Sequence, residues 1–172
     1  MAPAVFPHSR PLTDDEFLAL GETRQRVEMI DGSLLISARG HPRHQFIVRA
    51  LASLLSAAAG HVLTGVNVRL RPGRIVMPDV VVAAAVDFDQ PVLEAASVRM
   101  IAEVVSPAGS AIDEVWKMHC YAAAGVPCYL LVDQGTAAVR SYELDADQYV
   151  EIPGQARPLG VTVTPRSLLT PG

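Results

Sequence analysis

The spacing of apolar and polar positions changes period several times along the chain, and each change marks an element. Thr13-Asp14-Asp15-Glu16 puts a threonine at an N-cap and a glutamate three residues later. That pattern opens a short helix over 14–20, which Gly21 ends. Arg26–Ile30 and Ser33–Ser37 read as strands flanking Asp31-Gly32, a pair suited to a type I′ turn, so a hairpin is predicted. Pro42 fits the first turn of a second helix, in which Ile47, Leu51, Leu54 and Leu55 recur at helical spacing until Gly60. Strands are predicted over 62–70 and 75–84, around the turn Arg71-Pro72-Gly73. After a loop at 87–91, Val98–Val105 is apolar enough to be buried on both faces, and Ser106-Pro107-Ala108-Gly109 ends it. A third helix spans 111–124 and stops at Gly125 and Pro127. The last strands are 128–132, 137–143 and Gln148–Ile152, and a proline-rich stretch follows Pro153. The order α-β-β-α-β-β-β-α-β-β-β predicts an α/β (α+β) fold: a mixed sheet with helices packed on it and a βαβ crossover through the third helix.

Composition narrows the class without naming a function. A chain of 172 residues is one ordinary domain. Half of it is hydrophobic and 19% is charged, which excludes intrinsic disorder and a long charged coiled coil. The 13 prolines and 12 glycines are scattered, so collagen-like readings fail. The longest apolar runs, 51–59 and 80–86, fall far short of the ~20 residues that cross a bilayer. The N-terminus lacks an apolar signal core, so a cytoplasmic protein with no membrane partner is expected. Cys120 and Cys128 form no metal-ligand spacing and are expected as free thiols of a reducing compartment.

Charge adds an asymmetry. The net charge is −4, yet residues 39–74 hold six arginines, three histidines and no acid. Such a segment is a candidate footprint for phosphates, although solvated helix and strand faces account for it somewhat better on charge alone, since no aromatics are interleaved and no basic helix stripe forms. Lys117 is the only lysine beside 13 arginines. A lone lysine in that background marks a place where a compact ammonium serves and a planar guanidinium does not.

Three positions then attract attention as chemistry. Glu103 interrupts an apolar strand, on the face it shares with Ile101 and Val105. A desolvated carboxylate there needs a cation, a proton or a metal; breaking a buried pair costs roughly 3–5 kcal/mol. Asp79 stands at the mouth of the run Val80-Val81-Val82, where an aspartate also serves as a turn or cap residue. If the two strands are neighbours, the two acids can share one hard cation such as Mg²⁺, which keeps several waters and needs only one or two carboxylates. Lys117 lies beside a helix face centred on Ile112, Val115, Trp116 and Ala123. It either pairs with Asp113 at i−4 or reaches over the sheet end toward the acids. Glu28 and His44 are secondary candidates: Glu28 either lines the same cavity or points to solvent, and His44 either touches a phosphate or, as the favoured reading, is an ordinary partly buried histidine. His119 is expected to be structural, and Cys120 shows no nucleophile context. No phosphate-binding glycine loop, serine elbow or zinc spacing is present, and no organic cofactor is expected.

These residues fall in strings that resemble a known pattern. Arg26-Val27-Glu28-Met29-Ile30-Asp31-Gly32, Pro42-Arg43-His44-Gln45, Met77-Pro78-Asp79-Val80 and Ala102-Glu103-Val104-Val105-Ser106-Pro107 come first. Lys117-x-x-x-Tyr121-Ala122-x-Ala124-Gly125-Val126-Pro127-x-Tyr129 then follows the third helix, with Val132-Asp133 beyond it. Together they resemble the Uma2 family (DUF820) of restriction endonucleases in the PD-(D/E)XK nuclease superfamily. The resemblance covers 12–152, leaving an extension at 1–11 and a tail at 153–172. It implies a restriction-endonuclease-like αβββαβ core, preceded here by the N-terminal helix and hairpin. It implies Asp79 and Glu103 as ligands of Mg²⁺ or Mn²⁺ and Lys117 as the catalytic lysine. Within the matching strings, Glu28, His44, Arg43 and Tyr121 are secondary candidates for substrate binding or for supporting the site. Two departures stand out: Val105 occupies the superfamily's usual lysine position, which in many family members has moved to the following helix, and Cys128 replaces a usually acidic residue.

The implied chemistry is hydrolysis of DNA phosphodiester bonds, with residues 39–74 supplying phosphate contacts. Two other readings compete: a nucleic-acid-binding or interaction protein on a nuclease fold whose catalysis has lapsed, and a sheet-mediated homodimer with a structural role. A homodimer is also the default for a small nuclease that cuts two strands. The spatial convergence of Asp79, Glu103 and Lys117 decides among them.

Overall fold

The computed structural model describes residues 4–6, 10–38, 40–58, 60–105 and 112–169, with the backbone alone at 4–6 and 112–114. In chain order the elements are β1 (Ala4–Phe6), α1 (Asp14–Leu18), β2 (Arg26–Ile30), β3 (Ser33–Ser37) and α2 (Pro42–Leu55). Then come β4 (His61–Thr64), β5 (Val68–Arg71), β6 (Arg74–Val76), β7 (Val80–Ala83), β8 (Leu93–Glu94) and β9 (Val98–Val105). A π-helical segment (Ile112–Lys117) leads into α3 (Met118–Ala123), followed by β10 (Cys128–Asp133), β11 (Val139–Asp145), β12 (Gln148–Ile152) and α4 (Pro165–Leu169).

Local signals in the chain account for several of these. Thr13 accepts from the Glu16 backbone N–H while Glu16 caps the Thr13 N–H, so the capping box forms. Asp31 and Gly32 both take positive φ, +50° and +77°, as a type I′ turn requires, and β2 pairs antiparallel with β3.

The strands divide between two six-stranded sheets, where the periodicity predicts one. The main sheet runs β12-β11-β10-β9-β7-β4 and the second runs β1-β3-β2-β6-β5-β8. The predicted strands 62–70 and 75–84 are each cut in two, one half in each sheet. Gly65, with φ +61°, turns the first break; Pro78, which has no N–H to give a ladder, sits in the second. With the β5–β6 hairpin set aside as an insertion, α2-β4-β7-β9-α3-β10 is the αβββαβ core, with β9 and β10 parallel across the α3 crossover.

Side-chain alternation on β7 and β9 sends each face into a different core. Val80, Val82, Met100, Ala102 and Val104 pack with Ile47, Leu51 and Leu55 of α2. Ile101, Val105 and Val81 pack on the other side with Tyr121 of α3 and with Val68 and Val76 of the second sheet. On the second sheet, Val27, Met29 and Ile75 pack with Phe17 of α1, so alternation turns Arg26 and Glu28 the opposite way. The stretch beyond Pro153 returns to the α2 face, where Ala156, Val163 and Leu168 join the core. Both cysteines are buried and free. Among the described residues, no helix is long and apolar enough to cross a membrane.

Candidate active site

The register of the main sheet brings the two acids together. β7 and β9 are antiparallel neighbours with Val80 opposite Ala102, so one more step sets Asp79 opposite Glu103. Both side chains are buried, Glu103 to 2% exposure. Asp79 Oδ2 accepts the backbone N–H of Val104 at 2.8 Å, which ties the start of β7 to β9.

Lys117 reaches this pair because the turn before α3 is not α-helical. The sequence predicts one α-helix with Val115 inside and Lys117 on its rim. The π-helical segment carries about one residue more per turn and shifts the face. Val115 is instead 60% exposed and Lys117 1% exposed. His119, expected on the apolar face, is exposed as well. Lys117 and Tyr121, four residues apart, then point the same way. Lys117 Nζ donates to Glu103 Oε1 at 3.1 Å and Tyr121 OH donates to the same oxygen at 2.6 Å. Lys117 Nζ also lies 3.1 Å from Glu28 Oε1, which accepts the Met77 N–H at 2.9 Å. The side chain of Asp113, the other partner considered for Lys117, lies outside the described residues.

The second sheet contributes a residue that sequence reasoning missed. Arg26 Nη1 donates to Asp79 Oδ1 at 3.2 Å, and Nη2 to Glu103 Oε2 and to Glu28 Oε1, each at 3.4 Å. One guanidinium thus spans all three carboxylates. The signal was present: in a strand, residues i and i+2 share a face, so Arg26 had to accompany Glu28. His44, from the first turn of α2, completes the group with Nε2 3.3 Å from Asp79 Oδ1. Arg43, expected beside the substrate, does not join it. Its guanidinium donates to the carbonyls of Gln134 and Gly135 at 2.8 and 2.7 Å, pinning α2 to the β10–β11 turn.

The electrostatics follow from burial set against mutual charge. Burial pushes the Asp79 pKa up, but the hydrogen bond from His44 and the charge of Arg26 outweigh it and bring it down to about 2. Burial raises Glu28 too, and Arg26 and Lys117 hold it below the ordinary carboxylate value. Burial opposes the charged form of His44, and the contact with Asp79 prevails, so its pKa rises. Burial first, and then the charges of Glu103 and Glu28, push the Tyr121 phenol well above its ordinary value, so it stays a donor. Burial disfavours the Arg26 charge, yet Glu28, Glu103 and Asp79 keep the guanidinium ionised.

The cluster forms the floor of a cleft of about 1230 Å³ between the two sheets, lined by Arg26, Glu28, His44, Asp79 and Lys117 among others. The predicted phosphate footprint is elsewhere. Arg69 pairs with Asp14 and Glu94, Arg71 and Arg74 with Asp31, and Arg49 stands over the Phe46 ring. No described arginine of 39–74 lines the cleft, although His41 and His44 do; Arg39 lies outside the described residues.

The donor set suits a hard divalent cation only in the economical form. Among the described residues, no three His, Cys, Asp or Glu side chains gather into a full cage. Two carboxylates bridged by a buried cation are the oxygen-only contribution that Mg²⁺ or Mn²⁺ accepts while keeping its waters.

An αβββαβ arrangement, with buried acids facing each other across two adjacent strands, defines a restriction-endonuclease-like fold. The chain belongs to the Uma2 family, whose profile, described as "Putative restriction endonuclease", matches residues 14–169. Among solved structures it is similar to a crystal structure titled a putative nuclease belonging to DUF820, from Anabaena variabilis. The TM-score is 0.70 at 17% identity, over 92% of this chain and 97% of that one. A search of curated proteins gives no significant match.

Proposed function

We propose that the protein is a divalent-metal-dependent endonuclease that hydrolyses phosphodiester bonds in DNA. The observation that carries this reading is the meeting of Lys117 Nζ with Glu103 Oε1 at 3.1 Å, beside Asp79 on the adjacent strand. Membership of a family described as a restriction endonuclease supports reading this convergence of distant residues as a catalytic site.

Asp79 and Glu103 would hold Mg²⁺ or Mn²⁺. A divalent ion there supplies Lewis-acid stabilisation of the negative charge that develops on the phosphate. Lys117, set between Glu103 and Glu28, donates as an ammonium; it orients a water toward phosphorus and offers positive charge to the transition state. Tyr121 fixes the Glu103 oxygen that Lys117 touches, so carboxylate and amine keep one geometry. His44 orients Asp79 from the cleft side. All three residue types of the site are retained, and burying a lysine against two acids carries a desolvation cost, which favours a working nuclease over a lapsed one.

The test is cleavage of supercoiled and linear DNA with Mg²⁺ or Mn²⁺. Wild type should cut, EDTA should stop it, and Lys117→Met should lower the rate by about 10²-fold or more while remaining folded. Folded wild-type protein that leaves both substrates intact with either metal overturns the reading.

A further inference from the structure

Arg26 touches all three carboxylates of the cluster, and it does so loosely. Its contacts run from 3.2 to 3.4 Å, long for charge-assisted hydrogen bonds. Its Nε is buried with no hydrogen-bond partner among the described residues. The side chain nevertheless lines the cleft and is 19% exposed. Lys117 borders the same cleft but is far less open, at 2% side-chain exposure. Arg26 therefore has more freedom than Lys117 to turn into the cleft.

The charge count gives it a reason to move. Glu28, Asp79 and Glu103 carry three negative charges against the positive charges of Arg26 and Lys117, with His44 adding a third positive charge at Asp79 only when it is protonated. A divalent ion shared by Asp79 and Glu103 would use Asp79 Oδ1 and Glu103 Oε2, the oxygens that Arg26 now touches, because Asp79 Oδ2 accepts the Val104 N–H and Glu103 Oε1 accepts Lys117 and Tyr121, and an ion held there repels the guanidinium. Guanidinium is also the side chain best shaped to grip two phosphate oxygens at once.

We propose that Arg26 is a displaceable internal cation: it satisfies the acid pair until a divalent ion takes its place, then turns into the cleft to bind the substrate's phosphate. The phosphate half rests on the whole nuclease reading above; the displacement half rests only on the metal site which that reading assigns to Asp79 and Glu103. Metal loading and phosphate binding are thereby linked through one side chain. The ion releases the guanidinium, and the guanidinium then adds a phosphate contact that the metal-free protein lacks.

Two binding constants and one footprint test it. The first is Mn²⁺ affinity by calorimetry for wild type and Arg26→Gln. The second is binding of a labelled oligonucleotide in Ca²⁺, used as a metal that supports binding without rapid cutting. One substitution should move them in opposite directions. Mn²⁺ binds about tenfold tighter or more once a neighbouring positive charge is gone, and the oligonucleotide binds more weakly. The footprint uses unmutated protein and so survives any folding defect of the variant. Phenylglyoxal modification of Arg26, located by peptide mass spectrometry, should be slow without metal, faster with Mn²⁺, and slow again when the oligonucleotide is added. An Arg26 modification rate that Mn²⁺ leaves unchanged overturns displacement, as does calorimetry showing no Mn²⁺ binding to wild type. Oligonucleotide affinity unchanged by Arg26→Gln overturns the phosphate role. Wild type that binds Mn²⁺ and unmasks Arg26 but binds no oligonucleotide upholds displacement and removes the nuclease reading instead.

Discussion

At the scale of single residues, the cluster behaves as one charge-balanced unit, and its weakest condition is acid. The Asp79 pKa lies at about 2 in the folded chain against an ordinary 3.8. A depressed carboxylate contributes stability that is fully present above its unfolded value and is lost as pH falls through its folded one. Asp79 thus supports the fold above about pH 4, and that support, about 2 kcal/mol from the size of the shift, disappears between pH 4 and 2. Urea midpoints for wild type and Asp79→Asn should be well separated at pH 5 and converge toward pH 2. A gap that stays constant over that range would mean the Asp79 carboxylate is not held by Arg26 and His44. The same residues show what could be read in advance. Glu103, Asp79 and Lys117 each broke a local pattern: an acid in an apolar strand, an acid at a strand mouth, a lone lysine. Arg26 broke none, because an arginine opening a hairpin strand is ordinary; its one signal was the strand face it shares with Glu28, which carries weight only once that face is known to turn inward. Arg43 shows the opposite case. It lies next to His44 in the sequence, but successive residues on a helix point about 100° apart, and its guanidinium is spent on the Gln134 and Gly135 carbonyls.

At the scale of elements, the legible parts are those set by short-range chemistry. The capping box, the Asp-Gly turn, α2 and the buried β9 all stand where their residues put them. The division of 62–70 and 75–84 between two sheets was not legible, since a period of two fixes which residues share a face and says nothing of which sheet receives them. The two breaks place the site: Met77-Pro78-Asp79 is the crossing itself, and Glu28 holds the Met77 N–H there. The π-helical segment was hidden for a similar reason, because an apolar pattern at helical spacing does not announce an inserted residue. Gly65 offers a clean test of the other crossing. A Cβ there would meet nothing within 4 Å, so the cost of a side chain comes from the backbone φ of +61° alone. Gly65→Val should cost about 1–2 kcal/mol by thermal or chemical unfolding, and Gly65→Asn distinctly less, because asparagine visits the left-handed region readily. Equal losses for the two would show that crowding, not conformation, demands glycine at this turn.

At the scale of the whole molecule, the cleft and the charge pattern point to a binding mode unlike a basic clamp. Counting residues, 39–74 carry a charge of +6. In the fold, Arg69, Arg71 and Arg74 are consumed by Asp14, Glu94 and Asp31, and Arg43 by backbone carbonyls. The cleft lining adds Glu22 and Asp87 to the acids on its floor. It also carries Phe88, 75% exposed on a rim where its ring meets His61 edge-on at 5.8 Å. If nucleic acid enters this cleft, few phosphates are neutralised and much of the affinity must come from the metal-loaded site and from bases against exposed aromatic surface. Salt separates the alternatives. Six free arginines on phosphates would lower affinity on the order of a thousandfold between 50 and 200 mM salt, whereas one or two contacts lower it by only about 3- to 10-fold. The expected result in Ca²⁺ is the shallow dependence. Phe88→Ala should weaken binding by about fivefold or more at every salt concentration without changing the slope, since stacking on an aromatic ring releases no counterions. A steep slope that Phe88→Ala leaves untouched would move the nucleic acid off the cleft and onto an arginine surface, and with it would go the connection between Asp79, Glu103, Lys117 and the phosphodiester.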